Sequence, residues 1–210
     1  MQIRANLPND ILWTIINKLV PADSDLETLA ACRLASHVLY SLATPPFFSS
    51  IQLAVSEAGG IGERITTIEK RAAELNQILT NNDIVASVRS LTLKCHAVDF
   101  EDSTTGSIIT EILHRLPHIQ DFTLESSKSG YLHGHAVRFY SIAKDLASAI
   151  EELFISPNLT RLDLCNISHF PLMLITACPN LQHLSLTQIN LYVIFLFIFA
   201  PSTTKPYAPA

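Results

Sequence analysis

The chain has 210 residues and a formal net charge of −5, with 14 Lys+Arg against 19 Asp+Glu; 48% of its residues are hydrophobic and 16% charged. So apolar a composition describes a folded polypeptide with a real core, long enough for one or two domains, and excludes a disordered chain. The basic residues form no runs, which argues against a surface for nucleic acid or for an acidic membrane. Cys32, Cys95, Cys165 and Cys178 show neither CxxC spacing nor a dense framework and read as buried thiols of a reducing compartment. The first residues carry no apolar signal core, so the expectation is an intracellular chain, in cytoplasm or nucleus, whose sequons at Asn158 and Asn166 arise by chance.

In chain order, Leu7-Pro8 opens a helix whose apolar positions recur every four residues: Ile11, Ile15 and Leu19 on one line, Leu12, Ile16 and Val20 on the next. Pro8 suits the first turn, where a missing N–H costs nothing. After the turn Pro21-Ala22-Asp23, the pair Ser24 and Glu27 reads as a capping box opening a second helix with Leu26, Leu29, Ala30 and Leu34. A third helix over 38–43 is expected to stop at Pro45-Pro46, before Phe47-Phe48. Helices this short cannot close a core among themselves, so part of their apolar surface must face a partner or the rest of the chain.

This opening resembles the F-box. The match rests on Leu7-Pro8-x-x-Ile11-Leu12, on Leu34-Ala35-Ser36-His37 in place of the family's Leu-Val-Ser-Arg/Lys, on Leu42-Ala43, and on Phe47-Phe48-Ser49-Ser50-Ile51 as the closing segment. Asp10 stands where glutamate is usual, Leu39 where an aromatic is common and Ala35 where valine is. The resemblance implies an adaptor of cullin–RING ubiquitin ligases: the helices dock on the small Skp adaptor, and through it on a cullin, while the rest of the chain holds a protein target. It implies that Leu7, Pro8, Ile11, Leu12, Ile15, Ile16 and Leu34 form the docking surface or support it. Two other readings stay open: an ordinary helical hairpin, and an interaction scaffold whose degenerate F-box no longer serves a ligase.

Beyond the helices, Glu57 to Gly62 reads as a linker, because it lacks the Lys-Ser/Thr of a phosphate loop. A packing helix over 63–82 follows, with Ile65, Ile68, Ala72, Leu75 and Leu79 on one face and Asn81-Asn82-Asp83 ending it. The rhythm then changes. Residues 88–93, 119–124, 159–164 and 181–186 repeat one phrase, apolar-x-x-apolar-x-apolar, the strand signature of a leucine-rich repeat. Helices are expected between them over 107–116, 136–153 and 172–178, with Pro117, Pro157 and Pro179 turning the chain into each following strand. The expected fold is α/β: an N-terminal three-helix F-box over 1–55, a linker and packing helix over 56–86, and a short irregular leucine-rich-repeat solenoid with parallel strands over 87–190, before an apolar segment and Pro-rich tail over 191–210. Such repeats are a common target-binding half in the F-box family, particularly in fungi, so the two resemblances support each other.

Strand alternation turns the apolar members of each phrase inward and offers the residues between them to a target: Arg89, Thr92, Gln120, Thr123, Arg161, Asp163, His183 and Ser185. Their mixed charge suits a polar protein target. The run Leu191 to Ala200 is too short to span a bilayer. It reads as a segment closing the last repeat, as the mark of a truncated or mis-spliced product, or as an attachment to a membrane or partner. Catalytic chemistry is not expected. His133-Gly134-His135 lacks further ligands at zinc spacing, Cys95 and His96 point to opposite faces of a strand, and there is no GxSxG elbow. No metal or cofactor is expected either.

Overall fold

A computed structural model describes residues 12, 14, 16, 23–54, 61–127 and 136–192. Leu12, Thr14 and Ile16 are helical. Leu7, Pro8, Ile11 and Ile15, the Gly59-Gly60 linker, the His133–His135 cluster and the apolar run from Val193 lie outside the described residues. Two helices follow, α1 (Asp23–Ala35) and α2 (His37–Phe47). The side chain of Ser24, expected as a cap, is likewise not among those described. Ser36 separates the helices: it is extended, and its hydroxyl accepts the Leu39 N–H at 3.2 Å, capping α2. The expected stop at Pro45-Pro46 does not occur. Both prolines lie in the last turn of α2, and the chain leaves the helix only after Phe48 N–H bonds to Thr44 O at 3.1 Å. Ile16, Leu29 and Ala43 are buried together, with Cys32, Leu39, Leu42 and Phe47 packed around them.

Strand β1 (Ser50–Ala54) comes at once, and it belongs to the sheet, not to the helical region that was expected to run to residue 55. Its Ile51-Gln52-Leu53 is a further copy of the apolar-x-apolar phrase. Helices α3 (Ile61–Ile78) and α4 (Asn82–Ser87) lead to β2 (Ser90–Cys95). Asn81, read as a terminator, caps α4 by accepting the Asp83 N–H at 2.9 Å. The next elements are α5 (Ala97–Glu101), α6 (Ser103–Arg115) and β3 (Asp121–Ser126). Residues 136–143, expected to be helical, instead hold strand β4 (Val137–Arg138) and a 3₁₀ turn (Phe139–Ser141); α7 starts only at Lys144 and runs to Phe154. The reason is burial of Val137, Phe139 and Ile142, which an extended path directs into the core. Then come β5 (Arg161–Cys165), β6 (Ile167–Pro171), α8 (Leu172–Thr176), β7 (His183–Thr187) and β8 (Asn190–Tyr192).

The strands form two sheets, both parallel: β1-β2-β3-β5-β7 and β4-β6-β8. The fold is therefore mixed α/β. The four sequence phrases become strands, each entered two residues after the phrase begins. The leading apolar residues Val88, Ile119 and Leu159 are buried just before their strands. Successive entries are tied across the sheet: Gln120 N–H to Arg89 O at 2.7 Å, Thr160 N–H to Gln120 O at 2.8 Å, Gln182 N–H to Thr160 O at 2.8 Å. A second tie uses side chains, since Asn158 Nδ2 donates to Pro117 O at 2.9 Å and Asn180 Nδ2 to Pro157 O at 2.8 Å.

The second sheet is entered through corners that L-residues adopt reluctantly. Asn166 (φ 56°) turns β5 into β6, and Gln188 (φ 54°) turns β7 towards β8. Asn166 is buried; its Nδ2 donates to Ser126 O at 2.9 Å and its backbone N–H to Thr187 O at 2.8 Å. Two strands can thus meet at one residue because the asparagine satisfies the polar groups that the corner leaves behind. Between the sheets runs a file of phenylalanines. Phe122 of β3 meets Phe154 of α7 at 6.3 Å between ring centroids, Phe154 meets Phe170 of β6 at 5.9 Å, and Phe170 meets Phe139 at 4.9 Å.

Candidate protein-interaction surfaces

Two surfaces carry side chains that the fold does not use. The first is the corner between α1 and α2. Leu34 is 89% exposed, and Leu26, Val38 and Tyr40 are exposed as well. Beneath them Arg33 is half-buried. Its guanidinium lies 4.7 Å from the ring centroids of both Phe47 and Phe48 and 5.2 Å from that of Tyr40, and its Nε donates to Thr44 Oγ1 at 3.3 Å. Cation–π stacking of this kind fixes the corner and sets the end of α2 against α1. Of the residues implicated by the resemblance, Leu34 is exposed, Leu12 is half-buried and Ile16 is buried. The stacked Arg33 was missed; an arginine in the last turn of a helix gives no sign in sequence that rings from the next helix will meet it.

The second surface is the outer face of the larger sheet. Its register places Ser50, Ser90, Asp121, Arg161 and His183 in one row, Gln52, Thr92, Thr123, Asp163 and Ser185 in the next, and Ala54, Lys94, Glu125, Cys165 and Thr187 in a third. Thr92, Thr123, Arg161, Asp163, His183 and Ser185 thus share this face, as expected. Arg89 and Gln120 do not. Each precedes its strand and so lies outside these rows; Gln120 is exposed at the entry to β3 and Arg89 is half-buried at the entry to β2. Arg89 instead donates through Nη1 to Ala86 O at 2.7 Å and Val88 O at 2.8 Å, closing the end of α4. The third row was overlooked because the phrases end one residue before it. It carries the ion pair Lys94 Nζ to Glu125 at 3.0 Å, and Arg161 Nε pairs with Asp163 at 3.1 Å. At the carboxyl ends of the strands, Lys94, Glu125, Cys165, Asn166, Thr187 and Gln188 line an open hollow of about 330 Å³.

Several groups with the makings of chemistry are committed to structure. Burial drives the Cys95 thiol far above its ordinary value, with the nearby Asp99 adding to the effect, so it stays protonated. His96 opens α5, its backbone N–H donating to Asp99 Oδ2 at 2.8 Å. Asp102 caps α6 by accepting the Thr105 N–H at 2.7 Å, which holds its carboxyl below the usual carboxylate range. Cys95 is the one fully buried cysteine; Cys32, Cys165 and Cys178 are half-buried, contrary to the expectation of buried thiols throughout. Among the described residues no group of His, Cys, Asp and Glu could hold a metal ion, and no helix is long and apolar enough to cross a membrane. No protein-family model, no curated protein and no solved structure matches the chain.

Proposed function

We propose that the chain is the substrate-recognition subunit of a cullin–RING (SCF-type) ubiquitin ligase. The helices near its start form an F-box that docks on the Skp adaptor, and the strands from β1 to β7 form a short leucine-rich-repeat array that holds a protein target on its outer face. The observation that carries this reading is Leu34. It lies in the Leu-Ala-Ser-His phrase that resembles the F-box and is 89% exposed although the helices around it are packed. A bound partner would remove that apolar surface from water. The target face is polar and of mixed sign, which suits a protein surface more than an apolar ligand. Neither role requires this chain to be catalytic.

Capture by immobilised, purified Skp adaptor tests the reading, using the intact chain beside Leu34→Asp and a Leu7→Ala/Pro8→Ala double variant. The expected outcome is binding by the parent chain, with both variants released while circular dichroism is unchanged. Failure of the folded parent to bind would remove the ligase role and leave the scaffold reading.

A further inference from the structure

The corners that follow β5 and β7 stand 22 residues apart and are built alike. Asn166 and Gln188 both hold left-handed backbone, at φ 56° and 54°. The fold accounts for the asparagine, which is buried and donates through its carboxamide to Ser126 O. Gln188 is different. It is exposed, and its carboxamide makes no hydrogen bond among the described residues. Glycine occupies left-handed backbone freely and asparagine tolerates it, whereas a glutamine there gains nothing. A strained residue whose side chain does no work in the fold calls for a use outside it.

Gln188 lines the hollow at the carboxyl ends of the strands, with Ser127, Thr187 and the ion-paired Lys94 and Glu125. The hollow opens where the larger sheet stops: β3 and β5 pair as far as Glu125 and Cys165, β5 and β7 as far as Cys165 and Thr187, and the chain then turns at Asn166 and Gln188 into the smaller sheet. Its volume of about 330 Å³ is at the small end for a ligand site, and suits a side chain carried in on a loop. Its charge is cancelled from within, since Lys94 Nζ meets Glu125 at 3.0 Å. A charged side chain entering would be drawn to one member of that pair and repelled by the other. An apolar one would strip water from the Thr187 and Ser127 hydroxyls and the Gln188 carboxamide and return no partner. A carboxamide is neutral, carries donor and acceptor together, and can meet a second carboxamide through two hydrogen bonds at once. We propose that this hollow is the anchoring subsite of the outer face and takes an asparagine or glutamine side chain of a protein target, with the Gln188 carboxamide as its partner. The inference rests on the reading of the outer face as a target surface and names the chemistry that the surface selects.

The test selects binders to the intact protein from a phage-displayed library of random linear peptides and measures synthetic copies by fluorescence anisotropy. The selected peptides should share an asparagine or glutamine, and its change to aspartate or glutamate should weaken binding about tenfold or more, as expected when a buried polar group loses its partner. Against the Gln188→Gly protein the same peptides should also bind about tenfold more weakly. Glycine accepts the left-handed backbone, so that variant should keep the parent's circular dichroism and melt at or near its temperature; a purely structural glutamine would not separate binding from stability in this way. Equal binding by Gln188→Gly would overturn the inference. So would a shared residue that is charged or apolar, or a library that yields no binder. Failure of adaptor capture, which is read at the α1–α2 corner, would end the ligase role without altering these peptide results.

Discussion

Phe154→Ala should be among the most damaging single truncations in the sheet region, and the structure says by how much. Phe154 is fully buried and stands in the ring file between Phe122 of the larger sheet and Phe170 of the smaller one, at 6.3 and 5.9 Å. Truncating a buried phenylalanine to alanine costs about 3–5 kcal/mol through lost transfer energy and the cavity left behind. With rings on two sides that cannot both collapse inward, a value near 4 kcal/mol is expected, a large share of the roughly 5–15 kcal/mol that holds a domain together. Phe154→Leu keeps most of the volume but loses the edge-on contact with Phe122 and the tilted contact with Phe170, at about 0.5–1.5 kcal/mol each. The neighbouring Ile155 is 60% exposed. Ile155→Ala should therefore cost less than about 1 kcal/mol. Urea unfolding followed by circular dichroism measures all three. With a slope of about 2–3 kcal/mol/M, the Phe154→Ala midpoint should fall by about 1.3–2 M, with Phe154→Leu intermediate. A loss below about 2 kcal/mol for Phe154→Ala, or equal losses at 154 and 155, would refute the claim that this file of rings joins the sheets.

Other perturbations reach different parts of the fold. An alanine Cβ at Gly106 would sit 2.7 Å from Ala143 Cβ. Gly106→Ala should thus destabilise by about 1 kcal/mol even after the helical gain of alanine over glycine, and a raised melting temperature would contradict the close approach of α6 to this loop. At the β5–β6 corner, Asn166→Gly relieves the left-handed backbone but loses the bond to Ser126 O, whereas Asn166→Ala loses the bond and adds strain; thermal unfolding should rank them parent, glycine, alanine, with the alanine loss about 2–3 kcal/mol. Asp102 has a lowered carboxyl value in the folded chain, so its stabilisation is complete above the ordinary 3.8 and is lost as pH falls through the lower folded value. Asp102→Ala should cost about 0.5–2 kcal/mol at neutral pH. The gap from the parent should close on acidification below that range, and a gap independent of pH would show that the cap does not act through its charge.

The parts of the fold that could be read from sequence are those where one pattern repeats with a clear period. The four phrases show their inward leucines plainly, and parallel pairing follows once helices are placed between them. Strand β1 has the same phrase, but the F-box resemblance had already claimed Ser50 and Ile51 as its closing segment, and the local pattern lost to the larger one. The smaller sheet was not legible because its strands have two to five residues and depend on the corner at Asn166, whose left-handed backbone is a property of the packed chain. Helix α7 was drawn too long at its start because Phe139 and Ile142 stand three apart, as on a helix, whereas Val137 and Phe139 stand two apart, as on a strand; contact with the core decides. On the outer face of the sheet, counting x residues included Arg89 and Gln120, which precede their strands, and stopped short of Lys94 and Glu125, which alternation from Leu91 and Phe122 admits. Among the residues that the resemblance implicates, burial separates the exposed Leu34 from Ile16, which shares its apolar character but lies in the interior.

The passage from α2 into β1 leaves no slack. Only Phe48 and Ser49 separate the two elements, Phe48 N–H is bonded to Thr44 O, and Ser49 O accepts the N–H groups of both Arg89 and Ser90. Arg33 clamps the same passage through the Phe47 and Phe48 rings. The helical corner and the sheet therefore turn together, as two ends of one rigid bracket. Under the function proposed above, an adaptor holding Leu34 would fix the bearing of Thr92, Thr123 and Asp163 as well, so a target seated on the sheet would be aimed, its distance from the grip set by the protein rather than by diffusion on a tether.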